Sequence, residues 1–159
     1  MELSNDKYIN ASYISAPEQN YFIATQGPLN TTILDFWEMI IKYKVSMIIM
    51  LCELKEKDRQ KCACYWNNEV LSQNGIKVTT EEKTISNKLV IRNIVFKKDN
   101  LVHKVKQLHF IGWPDHGVPN IKEVFDIFLM MIQKVIEEKT NNSAPIVIHC
   151  SAGYIIYNF

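Results

Sequence analysis

A short apolar run, Pro145-Ile146-Val147-Ile148, ends abruptly in His149-Cys150-Ser151-Ala152-Gly153. Uninterrupted β-branched residues bounded by turn signals read as a buried strand. A strand that delivers a thiol into a tight turn of small residues mounts a nucleophile at the bottom of a pocket. Such a turn leaves successive backbone N–H groups pointing inward, and a nest of that kind binds a phosphate dianion. The same dipoles favour a thiolate over a thiol. Taken alone, Cys150 reads as a buried structural thiol at a strand end. A second motif upstream reverses that balance.

That motif is Trp113-Pro114-Asp115-His116-Gly117-Val118-Pro119. It describes a loop with rigid ends, held by prolines around a glycine, carrying a carboxyl group and an anchoring indole. Elsewhere the pattern is that of an ordinary α/β domain. Residues 7–14 read as a strand, and residues 20–29 hold a short strand broken by the turn signal Gly27-Pro28. Asn30-Thr31-Thr32 caps a helix whose apolar face is Ile33, Phe36, Trp37, Ile40 and Ile41. Val45 to Leu51 reads as a central strand and Glu53 to Lys61 as a charged loop. Three strand-like runs, 76–80, 89–96 and 102–111, form an antiparallel meander expected to carry no chemistry. Asn120 caps a second helix, with Ile121, Val124, Phe125, Phe128, Met131 or Ile132, and Val135 on its core face.

The totals narrow the function. A chain of 159 residues with net charge +1 gives no electrostatic case for nucleic acid or an anionic membrane. Cys52, Cys62, Cys64 and Cys150 do not form a disulfide framework, and Cys62-Ala63-Cys64 lacks the partner pair of a zinc site. A reducing compartment fits these thiols, and a cytoplasmic location is expected; separately, neither a metal nor a cofactor is expected. The longest apolar run is far too short to span a bilayer, and the first residues lack the pattern of a signal peptide.

The strand end resembles the signature of the tyrosine-specific protein phosphatases, His-Cys-x-x-Gly-x-x-Arg, as far as Gly153. Further segments resemble the same family in the same order: Asp6 to Tyr13, Ala24 to Leu29 with Asp35-Phe36-Trp37, Lys61 to Trp66, and the 113–119 loop, which resembles the family's general-acid loop. The resemblance covers about residues 6–153. It implies one domain over 1–159, with a mixed, twisted sheet flanked by helices. It also implies a two-step reaction on a phosphotyrosine-containing protein. Cys150 attacks phosphorus, Asp115 protonates the tyrosyl oxygen, and water cleaves the phosphocysteine. The backbone of Ser151, Ala152 and Gly153 holds the phosphate, and His149 holds the cysteine turn. Trp113 anchors the acid loop, Lys61 lies near it, and Glu56 pairs with the signature Arg.

That Arg is the point of departure. Its position is Ile156, and no Arg follows Arg92. A guanidinium grips two phosphate oxygens at once, and loss of one aimed donor costs roughly 10²–10³ in rate. The family's helix after the signature, its phosphotyrosine-stacking segment before the first strand and its water-positioning glutamine are also not matched. The sequence therefore reads as a domain incomplete at both ends, with a divergent tail over 154–159. Tyr, Ile, Asn and Phe have AT-rich codons, so the tail reads as an intron or a shifted frame. The AT-leaning composition resembles the phosphatase-like genes of parasitoid-wasp symbiotic viruses. Three outcomes stand open: a weakened phosphatase or phosphotyrosine-binding decoy, a working enzyme in which Lys61 replaces the Arg, and a product without a stable fold.

Overall fold

A computed structural model of the chain describes residues 1–3, 7–15, 21–67, 71–72, 74–114 and 117–153. Nine strands and two helices have both ends within these residues. In order they are β1 (Ala11–Ser15), β2 (Tyr21–Gln26), α1 (Ile33–Lys42), β3 (Met47–Met50), β4 (Lys55–Glu56), β5 (Arg59–Gln60), β6 (Ile76–Ser86), β7 (Leu89–Lys98), β8 (Leu101–Phe110), α2 (Ile121–Asn141) and β9 (Ile146–Cys150).

Seven strands make one mixed sheet in the order β1-β2-β9-β3-β8-β7-β6, and β4 pairs with β5 as a separate short hairpin. The apolar run before Cys150 becomes β9, which lies parallel between β2 and β3. Val147 is opposite Ile23 on one side and Ile48 on the other. β3 is in turn parallel to β8. Four parallel strands therefore end at one edge of the sheet. Ligand sites of α/β sheets lie beyond such carboxyl ends, and this is where Cys150, Cys52 and Trp113 emerge.

Alternation along the strands divides the core between two faces. Ile23, Ile48 and Val147 share a cluster with Phe36, Trp37 and Ile40 of α1. Met47, Ile49, Leu108 and Ile146 share the other with Val124 and Met131 of α2. Both helices begin where the sequence places them. Asn120 caps α2, its side chain accepting from Lys122 N at 3.3 Å. Thr32 precedes α1 without a side-chain cap; its hydroxyl instead accepts from Leu29 N at 2.9 Å.

Two expectations are corrected. The meander is longer than its apolar runs suggest, because β6 continues through Glu81, Glu82 and Lys83 to Ser86 as an edge strand. On α2 the buried line runs through Val124 and Met131, with Phe128 and Val135 half-buried beside it. Ile121, Phe125 and Ile132 are exposed. The 3.6-residue period allows two adjoining apolar stripes on this helix, and only one meets the sheet.

Ile48 is fully buried between both parallel neighbours of β3. Ile48→Ala is expected to lower unfolding free energy by about 2–5 kcal/mol in urea titration. Ile132→Ala, on the exposed stripe, is expected to change it by less than about 0.5 kcal/mol.

Candidate active site

β9 ends at Cys150, which is buried, and the chain turns sharply through Ser151 and Ala152 to Gly153. Gly153 adopts a φ of 80°, a conformation that favours glycine. That turn brings Gly153 N back to donate to Cys150 Sγ at 3.1 Å. The turn is fastened from outside. Ser151 Oγ donates to Lys61 O at 2.8 Å, and Gly27 N donates to Ser151 O at 3.0 Å. Gly27 must be glycine for a steric reason. A Cβ there would lie 2.7 Å from Cys150 O and 3.0 Å from Cys62 Sγ.

Cys150 and Ser151 form the floor of a cleft of about 220 Å³ whose walls include Lys61, Glu56, Trp113 and Cys52. The fold thus gathers five of the residues that sequence reasoning selected, from β9, the β4–β5 hairpin and the end of β8. Glu56 carries the Lys61 ammonium at 3.2 Å. Trp113 packs its ring against Phe110 and Phe128, with centroids 6.1 and 6.0 Å away. Asp115, His116 and residues 154–159, with Ile156 among them, lie outside the described residues. The chain has two arginines. Arg59 is exposed on the hairpin, and Arg92 is buried in β7.

Behind the cleft lie His149, which the sequence already assigns to the cysteine turn, and Tyr65, Gln107, Arg92 and Glu82, to which it gives no role. His149 is fully buried, with Nδ1 3.2 Å from Cys150 O and Nε2 2.9 Å from the Tyr65 hydroxyl. Tyr65 is wedged among Phe36, Trp37 and Trp66, and its backbone O accepts from Trp37 Nε1 at 2.8 Å. Burial raises the Tyr65 hydroxyl well above its ordinary pKa, so it stays protonated. Gln107 Nε2 donates to that hydroxyl at 2.5 Å. Gln107 Oε1 accepts from Arg92 Nη1 at 2.7 Å, and Arg92 Nε donates to Glu82 at 2.6 Å. The meander therefore does reach the site: a polar chain, buried from Arg92 inward, runs from Glu82 to His149, the residue before Cys150. The signal was a Gln and a His interrupting β8 where the apolar alternation calls for core residues.

Arg92 Nη1 also donates to His109 Nδ1 at 3.0 Å, and His109 Nε2 donates to Cys52 O at 2.9 Å. These partners suit the neutral ring. Burial, aided by Arg92, lowers His109 to about 4. Two thiols stand close by. A hydrogen bond from Cys62 lowers Cys52 to about 6, and the same bond is the main cause of a raised Cys62.

A strand-end cysteine cradled by the backbone of its own turn, under a cleft with a lysine–glutamate wall, defines a cysteine-dependent phosphatase fold. The family profile for protein-tyrosine phosphatase matches residues 1–155, and the chain belongs to that family. Human receptor-type tyrosine-protein phosphatase epsilon is 38% identical over an alignment of 155 residues that covers 92% of this chain and 22% of that protein. The catalytic domain of human protein tyrosine phosphatase non-receptor type 18 superposes with a TM-score of 0.82 at 31% identity, covering 94% of this chain and 54% of that one. A structure of PTPN18 in complex with HER2 phosphopeptides superposes with a TM-score of 0.82 at 30% identity, covering 96% and 55%. The chain therefore spans about half of these solved chains. No helix among the described residues is long and apolar enough to cross a membrane.

Two outcomes follow from this geometry. His109 is neutral in the fold but titrates at about 6.5 when unfolded, so the unfolded chain binds more protons between those values. Stability is expected to be fully present above pH 6.5 and to fall by on the order of 3 kcal/mol as pH drops toward 4. Urea unfolding at both pH values, with His109→Gln showing a shallower dependence, is the check. Gly27→Ala is expected to cost about 1–3 kcal/mol in the same assay, because the Cys150 carbonyl must move.

Proposed function

We propose that this chain is a phosphotyrosine-recognising domain in which the nucleophile is retained and turnover is strongly reduced. The observation that carries the reading is the Gly153 N–H aimed at Cys150 Sγ on the floor of a cleft with Lys61 at its wall. That is a place for an anion next to sulfur. The peptide complexes of PTPN18 support a phosphotyrosine-containing protein as the partner. In the reaction, Cys150 displaces the tyrosyl oxygen from phosphorus, Asp115 supplies its proton, and water then returns the sulfur as thiolate and releases phosphate.

Reduced turnover rests on Ile156, which stands where the family's signature has Arg. Ile offers no donor for the charge that spreads over the equatorial oxygens. Neither arginine of the chain stands in for it: Arg92 is bound to Glu82 and Gln107, and Arg59 is exposed on the hairpin. Lys61 lines the cleft, but it is a point charge already paired with Glu56 at 3.2 Å and cannot form the bidentate fork. Four free thiols support a reducing compartment such as the cytoplasm. The AT-leaning composition supports a viral gene expressed in a host cell.

Hydrolysis of an aryl phosphate is expected at a rate ~10²–10³ below the usual enzymatic range of about 1–10³ s⁻¹. Ile156→Arg is expected to raise it by about 10², and Cys150→Ser to abolish it. A phosphotyrosine peptide is expected to bind Cys150→Ser in fluorescence polarisation, and its unphosphorylated form is not. Ordinary enzymatic rates in the unmodified chain, lost in Cys150→Ser, would overturn the reduced-turnover reading. Failure of both hydrolysis and peptide binding would overturn the phosphotyrosine site itself.

A further inference from the structure

Two thiols and an imidazole that the proposed reaction does not use as nucleophile, acid or base meet behind Cys150. Cys52 leaves β3, Cys62 follows the β4–β5 hairpin, and His149 lies on β9. Their Sγ atoms and a ring nitrogen all lie within 4.8 Å of one another, and all three residues are buried. In sequence they are widely spaced, and Cys64, the apparent partner of Cys62, is not among them. We propose that Cys52, Cys62 and His149 form a binding site for a soft d¹⁰ cation, with Zn²⁺ as the ion of that class.

The donor set selects the class of ion. Two thiolates and an imidazole suit zinc, whereas magnesium and calcium demand oxygen. Zinc holds sulfur at about 2.3 Å and nitrogen at about 2.0–2.1 Å, which puts tetrahedral donors roughly 3.4–3.8 Å apart. A cluster within 4.8 Å needs only a side-chain contraction of about 1 Å to reach that spacing. Three donors leave a fourth position for water, as in open zinc sites. All four cysteines are free thiols, so none of the sulfur is committed to a disulfide.

The surroundings supply the other requirements. Cys52 lines the same cleft as Cys150, which gives an ion a path inward. A metal-bound histidine has its second nitrogen fixed by an outer partner. Here Tyr65 stands 2.9 Å from Nε2, and Tyr65 is itself held by Gln107. The weaker ring contact, Nδ1 to Cys150 O at 3.2 Å, is the one free to yield to a metal. Binding joins Zn²⁺ to two thiolates as a neutral dithiolate and releases the protons the two sulfurs still carry, with no change of oxidation state.

The test titrates Co²⁺, the spectroscopic probe for zinc, into the full chain under a phosphine reductant. One equivalent is expected to bind, with a thiolate-to-cobalt charge-transfer intensity of two thiolates, and to be displaced by Zn²⁺. Cys150→Ser is expected to keep that spectrum. Cys52→Ser and Cys62→Ser are each expected to weaken binding by more than about 10²-fold, and Tyr65→Phe by about 10-fold. Cys62 is packed against Gly27, so its variant is checked for folding by near-UV circular dichroism. The thiolate count and the Cys150→Ser spectrum decide the matter without it. No cobalt spectrum, or a spectrum lost in Cys150→Ser and kept in Cys62→Ser, overturns the site.

Discussion

A buried hydrogen bond, Tyr65 hydroxyl to His149 Nε2 at 2.9 Å, joins the aromatic pocket around Tyr65 to the strand that carries Cys150. On one side of it stand Phe36, Trp37 and Trp66, which fix the Tyr65 ring. On the other stands β9, which ends one residue past His149 at Cys150. Both groups are fully buried, so an unpaired partner would cost about 1–3 kcal/mol. The hydroxyl is also the terminus of the Glu82–Arg92–Gln107 chain. Charge at an edge strand is thereby connected, bond by bond, to the orientation of a histidine in the sheet centre. Buried networks of this kind hold one arrangement well because each member is costly to leave unsatisfied.

The arrangement of cations follows a similar logic. In the family pattern Glu56 is expected to face an arginine from the signature turn. In this chain its carboxylate instead meets Lys61, five residues on, within the hairpin segment. The pair is partly exposed, so its contribution to stability is small. Its effect is local: it keeps an ammonium at the cleft wall and leaves the carboxylate with a partner. The other strong cation, Arg92, lies under Trp66, with its guanidinium carbon 4.4 Å from the ring centroid. Both charges are thus accounted for by protein groups before any phosphate arrives.

Much of the fold could be read directly. The apolar runs of β3 and β9 and the caps near Thr32 and Asn120 mark elements within a few residues of where they form, because local pattern and burial agree there. The family membership was legible from the motif order alone. What escaped was the back of the site. Tyr65 looked like one aromatic in a recognition motif, and Gln107 and His109 looked like polar interruptions in a strand. Their roles depend on pairings between β3, β7, β8 and β9, which sequence spacing cannot express. The Cys52–Cys62–His149 cluster was hidden for the same reason, since the obvious neighbour of Cys62 along the chain is Cys64. The second apolar stripe of α2 misled in the opposite direction: periodicity marks it as core, and the sheet meets only its neighbour.

The position of β9 has a consequence for how the protein is made. Among the described strands it is the last to be synthesised, yet it fills the slot between β2 and β3. Until it arrives, both neighbours present bare rows of amides and carbonyls toward an empty lane, which invites pairing with other chains. Docking it joins segments more than a hundred residues apart in β2, a long closure that slows assembly. Cys150 rides on the tip of that strand, so the turn that aims Gly153 N at its sulfur takes shape only when the sheet zips shut.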